Sequence, residues 1–459
     1  MKKLNNYKNN NLKYISISIL IFIALVFSYS FFSKKISISS YDEVYWVGTS
    51  YFFQPFIHGN FDERIWDAEL AYDEPMLTRF AFGAWLYPKY LKEKKFFWPQ
   101  FDYTTFLIMN GFYTNDSKIS SYHDSYRANK DRIATIETGD VGTDSYFIEK
   151  YGSNITKSLD LIWYIRKLNY FFLAVAVVVL WILLLRFKGL IFSFLFLIFY
   201  GYNTLLINWG VYAHSEPLFL LLFNLSIFFA CYYFVLKRNV KYLLLFSFFV
   251  GLTMSTKING IMLLIPFYVC LFLDLFRNYK KISKLNIVLG LVLPAAISLS
   301  VFVLLHPTTY KNPRNTIPEM YEFRKKATVR LAEVFPYTFL PTTKAKFTQI
   351  FKNFYFGKDY YDFNGLKFIA SNIKYGIFLF ALFLIGLFVE IKRMMKDKKL
   401  TRVIFIFFFT TVVVMTWYLS LNWTRYYIQL VFFFIYYQIS GLVYFLEKGK
   451  RFVGNLYNL

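Results

Sequence analysis

Runs of about twenty mostly apolar residues recur along this 459-residue chain, and they constrain it more than any other feature. Hydrocarbon holds no water to bond backbone N–H and C=O groups, so a run of that length resolves as a helix whose peptide groups satisfy one another. Ten runs meet the requirement: residues 14–33, 168–186, 189–207, 217–236, 241–257, 259–276, 285–305, 373–391, 402–421 and 426–446. The predicted fold is an all-α integral membrane protein, a bundle of about ten or more transmembrane helices. Composition agrees: the chain is 57% hydrophobic and 23% aromatic, with a mean hydropathy of +0.38, well outside the usage of soluble domains.

Charge orients the spans. The tail "MKKLNNYKNNNLK", "RFK" at 186–188, "KRNVK" at 237–241, "RNYKKISK" at 277–284, "KRMMKDKKLTR" at 392–402 and "EKGKR" at 447–451 all fall on one side if every span is real. The acids in or beside them are Asp274, Glu390, Asp397 and Glu447. Excess Lys and Arg marks cytoplasmic connections, so both termini are expected in the cytoplasm and any active face outside it, in the plasma or cytoplasmic membrane. No small-residue cleavage site precedes Lys34, so the first run reads as a retained signal-anchor. The expected division is a basic tail (1–13), the first span (14–33), a long external loop (34–167), a transmembrane bundle (168–305), a second external loop (306–372), C-terminal spans (373–446) and a cytoplasmic tail (447–459). The net charge of +24 does not mark a nucleic-acid binder, because its cations are dispersed between apolar runs. Cys231 and Cys270 lie inside apolar runs and have neither ligand nor disulfide spacing.

Within this frame the informative residues are ionisable groups at external helix ends. "YDEVYWV" places Asp42 and Glu43 just beyond the first span, among aromatic side chains that favour the interface. Partial desolvation raises a carboxylate's pKa and suits it to take a proton from a hydroxyl. "AYDEPMLTRFAFGAWLYPKYL" carries Glu74 and then a helix begun by Pro75, with Met76, Leu77, Phe80, Ala84 and Leu91 on one apolar face. That helix is expected along the membrane surface, with Arg79 and Lys89 reaching toward headgroups, and an ordinary amphipathic loop helix reads equally well. "YAHSEPLF" adds His214 and Glu216, "GLTMSTKINGI" adds Lys257, "VLLHPTTYKNP" adds His306 and "LNWTRYYIQL" adds Arg425 and Tyr426. Any one of these could be a capping or snorkelling group. Together they set cations against two acidic pairs on one membrane face, which suits a phosphate-bearing lipid donor held by Lys257 and Arg425 while a carboxylate deprotonates the acceptor.

On these residues the chain resembles integral-membrane glycosyltransferases of the GT-C class, in the branch of protein O-mannosyltransferases and aminoarabinose transferases acting on lipid A. The resemblance rests on the opening pair Asp42 and Glu43, the downstream Glu74, Pro75 and Gly83, "GLTMSTKING" with Lys257, "HSEPLF" with Glu216, and "WTRYY" with Arg425 and Tyr426. It implies a GT-C-like bundle whose long first external loop bears interfacial helices and whose donor is a polyprenyl-phosphate sugar. The acceptor would be a lipid, a glycan or a protein. Asp42 would be the general base of an inverting displacement, accompanied by Glu43. Glu74, Arg79, Glu216, Lys257, His306, Arg425 and Tyr426 would contact substrate. The chain departs from the pattern at Met76, where relatives commonly have a second proline, and at His306, where relatives often carry Asn. No His or Cys cluster has metal-ligand spacing, so no metal is assigned and divalent-metal dependence stays open.

Two other classes share the span pattern. A transporter or flippase for a lipid-linked saccharide would place charges near span midpoints and break its helices, whereas here the ionisable groups gather at helix ends. A glycan polymerase or ligase would share the lipid-linked donor.

Overall fold

A computed structural model describes residues 2–35, 43, 46–47, 49–62, 66, 71–72, 75–92, 144–236, 238–278, 283–334, 336–356, 373–396 and 398–456. Asp42 and Glu74 lie outside the described residues, as do the side chains of Lys89 and Leu91. The main helices are α1 (Lys2–Lys35), α2 (Leu77–Lys92), α3 (Asp144–Lys188), α4 (Leu190–Gly201), α5 (Thr204–Gly210), α6 (Glu216–Val235) and α7 (Val240–Met254). They continue as α8 (Leu264–Asn278), α9 (Lys284–Leu304), α10 (Pro313–Val334), α11 (Thr343–Phe351), α12 (Ile373–Met395), α13 (Lys399–Tyr418) and α14 (Val431–Leu456). Among the described residues the sole β pairing is a bridge between Phe339 and Leu421.

The protein is a multi-pass, all-α membrane bundle. Among the described residues eight helical segments are long and apolar enough to cross a bilayer: Tyr14–Lys34, Leu161–Lys188, Glu216–Val235, Ile258–Arg277, Lys284–Leu304, Tyr375–Met395, Lys399–Tyr418 and Thr424–Lys448. Eight of the ten expected runs therefore stand as spans, and the other two differ in form. The run at 189–207 is the pair α4 and α5, bent by 55°. The break lies at Asn203, whose side chain accepts from the N–H groups of Leu205 and Leu206 and so starts a new helix in a new direction. The run at 241–257 ends early, as α7 has only 15 residues. That is about 22 Å of helix against a hydrocarbon layer of about 30 Å. Lys257 then caps a 3-10 turn, Ile258–Leu263, that leads into α8.

Lipid-facing surfaces are explicit. On α1, Ile15, Ile19, Ile23 and Phe27 recur every four residues and are exposed, while Leu25 and Tyr29 are buried. The Tyr29 hydroxyl donates to the Gly201 carbonyl at 2.7 Å, which fastens this helix to the end of α4. An exposed apolar row of that length is covered only by lipid or another apolar surface. In the C-terminal half α12 and α14 meet at two glycines. A Cβ at Gly386 would lie 1.7 Å from the Tyr437 carbonyl oxygen, and one at Gly441 would lie 2.2 Å from that of Leu382. Small residues let backbones approach to this degree and gain dispersion contact where no hydrophobic effect drives association. Around them Phe383, Phe408, Phe434 and Tyr437 form an aromatic cluster, edge-to-face except for the tilted Phe383–Phe434 pair.

The two ends of the bundle differ in charge. At one end the basic connections converge. Lys188 contacts both oxygens of Glu390, at 2.9 and 3.0 Å, and Arg393 contacts the same carboxylate at 2.6 Å. Arg238 and Arg402 both pair with Asp274. Glu390 is fully buried and also accepts from the hydroxyls of Thr401, Tyr436 and Ser440. A charge at that depth is tolerated because cations and hydroxyls occupy its lone pairs.

Candidate functional site

The opposite end gathers the residues singled out above. Glu43, the described member of the opening acidic pair, is fully buried. Its Oε1 accepts from Arg166 Nε at 2.7 Å and from the Ala213 N–H at 2.8 Å, and its Oε2 accepts from Arg166 Nη2 at 2.7 Å. Arg166 also reaches the Ser33 carbonyl at 3.3 Å, and its guanidinium lies 4.6 Å from the Trp163 ring and 5.1 Å from the Tyr212 ring. One fork-on-fork pair thus ties the segment after α1 to α3 and to the bend before α6. One turn along α3, Asn169 Nδ2 donates to the carbonyls of Tyr212 and His214.

The bend delivers His214 and Glu216 to the head of α6. Glu216 Oε1 accepts from Lys257 Nζ at 2.5 Å, and its Oε2 lies 3.6 Å from His214 Nδ1. That Oε2 is buried and has no hydrogen-bond partner among the described residues. Lys257 keeps 15% of its side chain exposed, and its ammonium lies 5.9 Å from the Phe219 ring. Burial pulls the His214 imidazole below its ordinary pKa, against the opposing pull of Glu216 and Glu43.

Helix α2 docks onto this cluster. The Leu77 N–H donates to the Ser255 carbonyl at 2.8 Å, and the Met76 N–H donates to His306 Nε2 at 3.1 Å. His306 Nδ1 lies 2.6 Å from the Phe302 carbonyl, so this nitrogen carries the proton while Nε2 accepts. Burial pushes the imidazole down to about 4, with the nearby Arg79 acting in the same direction against the Phe302 bond. Both ring nitrogens are engaged and the residue is fully buried, so His306 tethers α2 to the end of α9. In this arrangement neither ring nitrogen is free for the substrate contact expected from the sequence. On another side Gly83 lets α2 pack against residues 50–53, because a Cβ there would meet Phe53 Cβ at 2.2 Å and the Ser50 carbonyl at 2.7 Å.

Arg79 also turns inward. It is fully buried, with its guanidinium 5.9 Å from the Trp46 ring and 5.2 Å from the Phe52 ring, and Nη1 is 3.7 Å from Met76 Sδ. It points into the protein rather than toward headgroups. Met76 just before α2 and Thr78, Arg79, Phe80, Phe82, Gly83 and Leu86 within it are buried, whereas Ala84 is exposed. The helix is therefore a packed element, not one lying loosely on the membrane surface.

Arg425 and Tyr426 lie in the 3-10 turn Thr424–Leu430 that opens the last span. The Arg425 guanidinium lies 4.6 Å from the Trp423 ring, 5.6 Å from the Tyr426 ring and 6.0 Å from the Trp209 ring. Trp209 donates to Thr424 Oγ1 at 3.1 Å, and its ring lies 5.5 Å from that of His214. Through Trp209 the Arg425 turn joins the His214, Glu216 and Lys257 group. The sequence reading missed Arg166, Asn169 and Trp209. Arg166 stands in "LIWYIRKLNYFF" within the span Leu161–Lys188, and an ionisable residue inside an apolar helix is itself a signal.

Among the described residues no three His, Cys, Asp or Glu side chains gather as a metal-ligand set. Comparison with protein-family models, curated proteins and solved structures finds no match.

Proposed function

We propose that this protein is a membrane glycosyltransferase of GT-C type, transferring a sugar from a polyprenyl-phosphate donor to a lipid, glycan or protein acceptor on the non-cytoplasmic face. The observation that supports this best is the meeting, at the end opposite the basic connections, of motifs far apart in sequence. Glu43 joins Ala213, Leu77 joins Ser255, Met76 joins His306, and Glu216 joins Lys257. The excess of Lys and Arg at the other end supports placing this end outside the cytoplasm.

In the proposed reaction the acceptor oxygen attacks the anomeric carbon from the face opposite the phosphate. Its proton passes to Asp42, the bond from that carbon to the phosphate oxygen breaks, and the anomeric configuration inverts. Lys257 and Arg425 take up the charge that develops on the departing polyprenyl phosphate. The unpaired Oε2 of Glu216 is an acceptor for a sugar hydroxyl beside that cation. Glu43 holds the opening segment in place through Arg166 and leaves proton transfer to its neighbour.

The test is to incubate the purified protein with a panel of radiolabelled polyprenyl-phosphate monosaccharides and identify by mass what gains label. One donor should transfer, and Asp42→Asn should lower the rate about a hundredfold or more with the protein equally abundant and monodisperse. Transfer at the wild-type rate by that variant removes Asp42 from the mechanism, and no transfer from any donor rejects the reading. A second reading, a flippase for a lipid-linked saccharide, draws on the 55° break between α4 and α5, since transporters use broken helices. Movement of intact donor across vesicles without transfer supports it. Transfer of a preassembled glycan would instead identify a polymerase or ligase.

A further inference from the structure

At the basic end a groove of about 600 Å³ lies between α12 and α14, lined by Lys392, Arg393 and Lys396 together with Phe388, Val389, Met395 and Tyr444. We infer that it is a binding site for the phosphate headgroup of an anionic phospholipid. Three observations support a lipid occupant.

The first is charge. Lys392 and Lys396 have no carboxylate within ion-pair distance among the described residues, while Arg393 gives Nη1 to Glu390, whose other cation is Lys188. Cations outnumber acids around the groove, and a phosphate oxygen is the ligand that ammonium and guanidinium groups bind best at a bilayer surface. The Lys392 ammonium lies 4.2 Å from the Phe388 ring, which restricts where it can point.

The second is polarity along the groove. Its walls continue into exposed apolar side chains, since Phe388 is 56% exposed, Met395 71%, Phe445 50% and Leu446 51%. A soluble anion has no use for that apolar margin, whereas acyl chains do. The third is position. The groove begins within a turn or two of Gly386 and Gly441, where the two helices touch, and stands at the end of span Tyr375–Met395, the depth of a headgroup rather than of a chain terminus. A site of this kind would couple lipid composition to the buried Glu390 network, because Arg393 belongs to both.

The test uses native mass spectrometry of the full-length chain, delipidated in detergent and titrated with phosphatidylglycerol or phosphatidylcholine of identical acyl chains. Phosphatidylglycerol should bind more tightly by on the order of tenfold, and K392Q/K396Q should lose most of that preference, about threefold per lysine, while K392R/K396R keeps it. Met395→Glu, a change at an exposed position, should abolish the preference independently of the lysines. Equal affinity for the two lipids, or an unchanged preference in both K392Q/K396Q and Met395→Glu, overturns the proposal. So does full displacement of bound phosphatidylglycerol by millimolar glycerol 3-phosphate, which would show an anion site indifferent to acyl chains.

Discussion

Glu43 and Arg166 illustrate what a buried charge does in this protein. Both side chains are fully sequestered, and each has the other as its main partner. Removing one charge leaves the other desolvated and alone, at a cost of about 3–5 kcal/mol. Arg166→Leu is therefore expected to lower stability by that amount in an equilibrium unfolding measurement, and adding Glu43→Gln should recover part of the loss. Equal stability of the single and double variants would mean that the pair is not what holds this junction. His306 gives a prediction in pH. Its folded pKa is near 4, against about 6.5 for an unfolded histidine. Between those values the unfolded chain binds a proton that the folded chain does not, so this contribution is complete above about pH 6.5 and is lost as pH falls toward 4. His214 shifts in the same direction. Part of the melting-temperature drop between pH 7.5 and 4.5 should therefore vanish in His306→Asn, and an unchanged drop would exclude that imidazole as a source.

At the scale of elements, close backbone approach outweighs propensity. Helices α12 and α14 touch where Gly386 and Gly441 leave room, and a methyl group at Gly386 would overlap the Tyr437 carbonyl. Gly386→Ala should cost about 1–3 kcal/mol through overpacking, read as a lower unfolding midpoint, whereas Ala at the exposed Phe378 should cost much less. No change at Gly386 would show that the two helices can separate freely. Helix α2 was legible as an amphipathic helix beginning near Pro75, and it occupies Leu77–Lys92. Its orientation was not legible, because an arginine on a helix normally marks the wet face. Here Arg79 points inward to the Trp46 and Phe52 rings, an environment assembled by residues some thirty positions earlier in the chain. The break at Asn203 was hidden for a related reason: an apolar window averages over one capping residue, although that residue redirects the chain.

Across the whole molecule, the segregation of cations to one end makes topology testable. Lys344, at the start of α11, and Lys398, just before α13, are exposed at opposite ends of the predicted topology. Single cysteines placed there should react with an impermeant thiol reagent from outside only at 344 and from the cytoplasm only at 398. The native Cys231 and Cys270 are buried and should stay silent. The reverse pattern would invert the orientation and move the proposed site to the cytoplasmic face. Multi-pass, all-helical character and charge asymmetry were present in the sequence, because they follow from local composition measured against the thickness of a bilayer, whereas two of the ten expected spans differ in form. The roles of individual polar residues were not. Glu390 read as an acid beside a cytoplasmic connection and is the buried hub of four helices, and His306 read as a substrate contact whereas both its ring nitrogens bond within the protein. Only tertiary structure could decide these, since whether a charge faces solvent, lipid or a partner depends on groups that the chain brings together from hundreds of residues away.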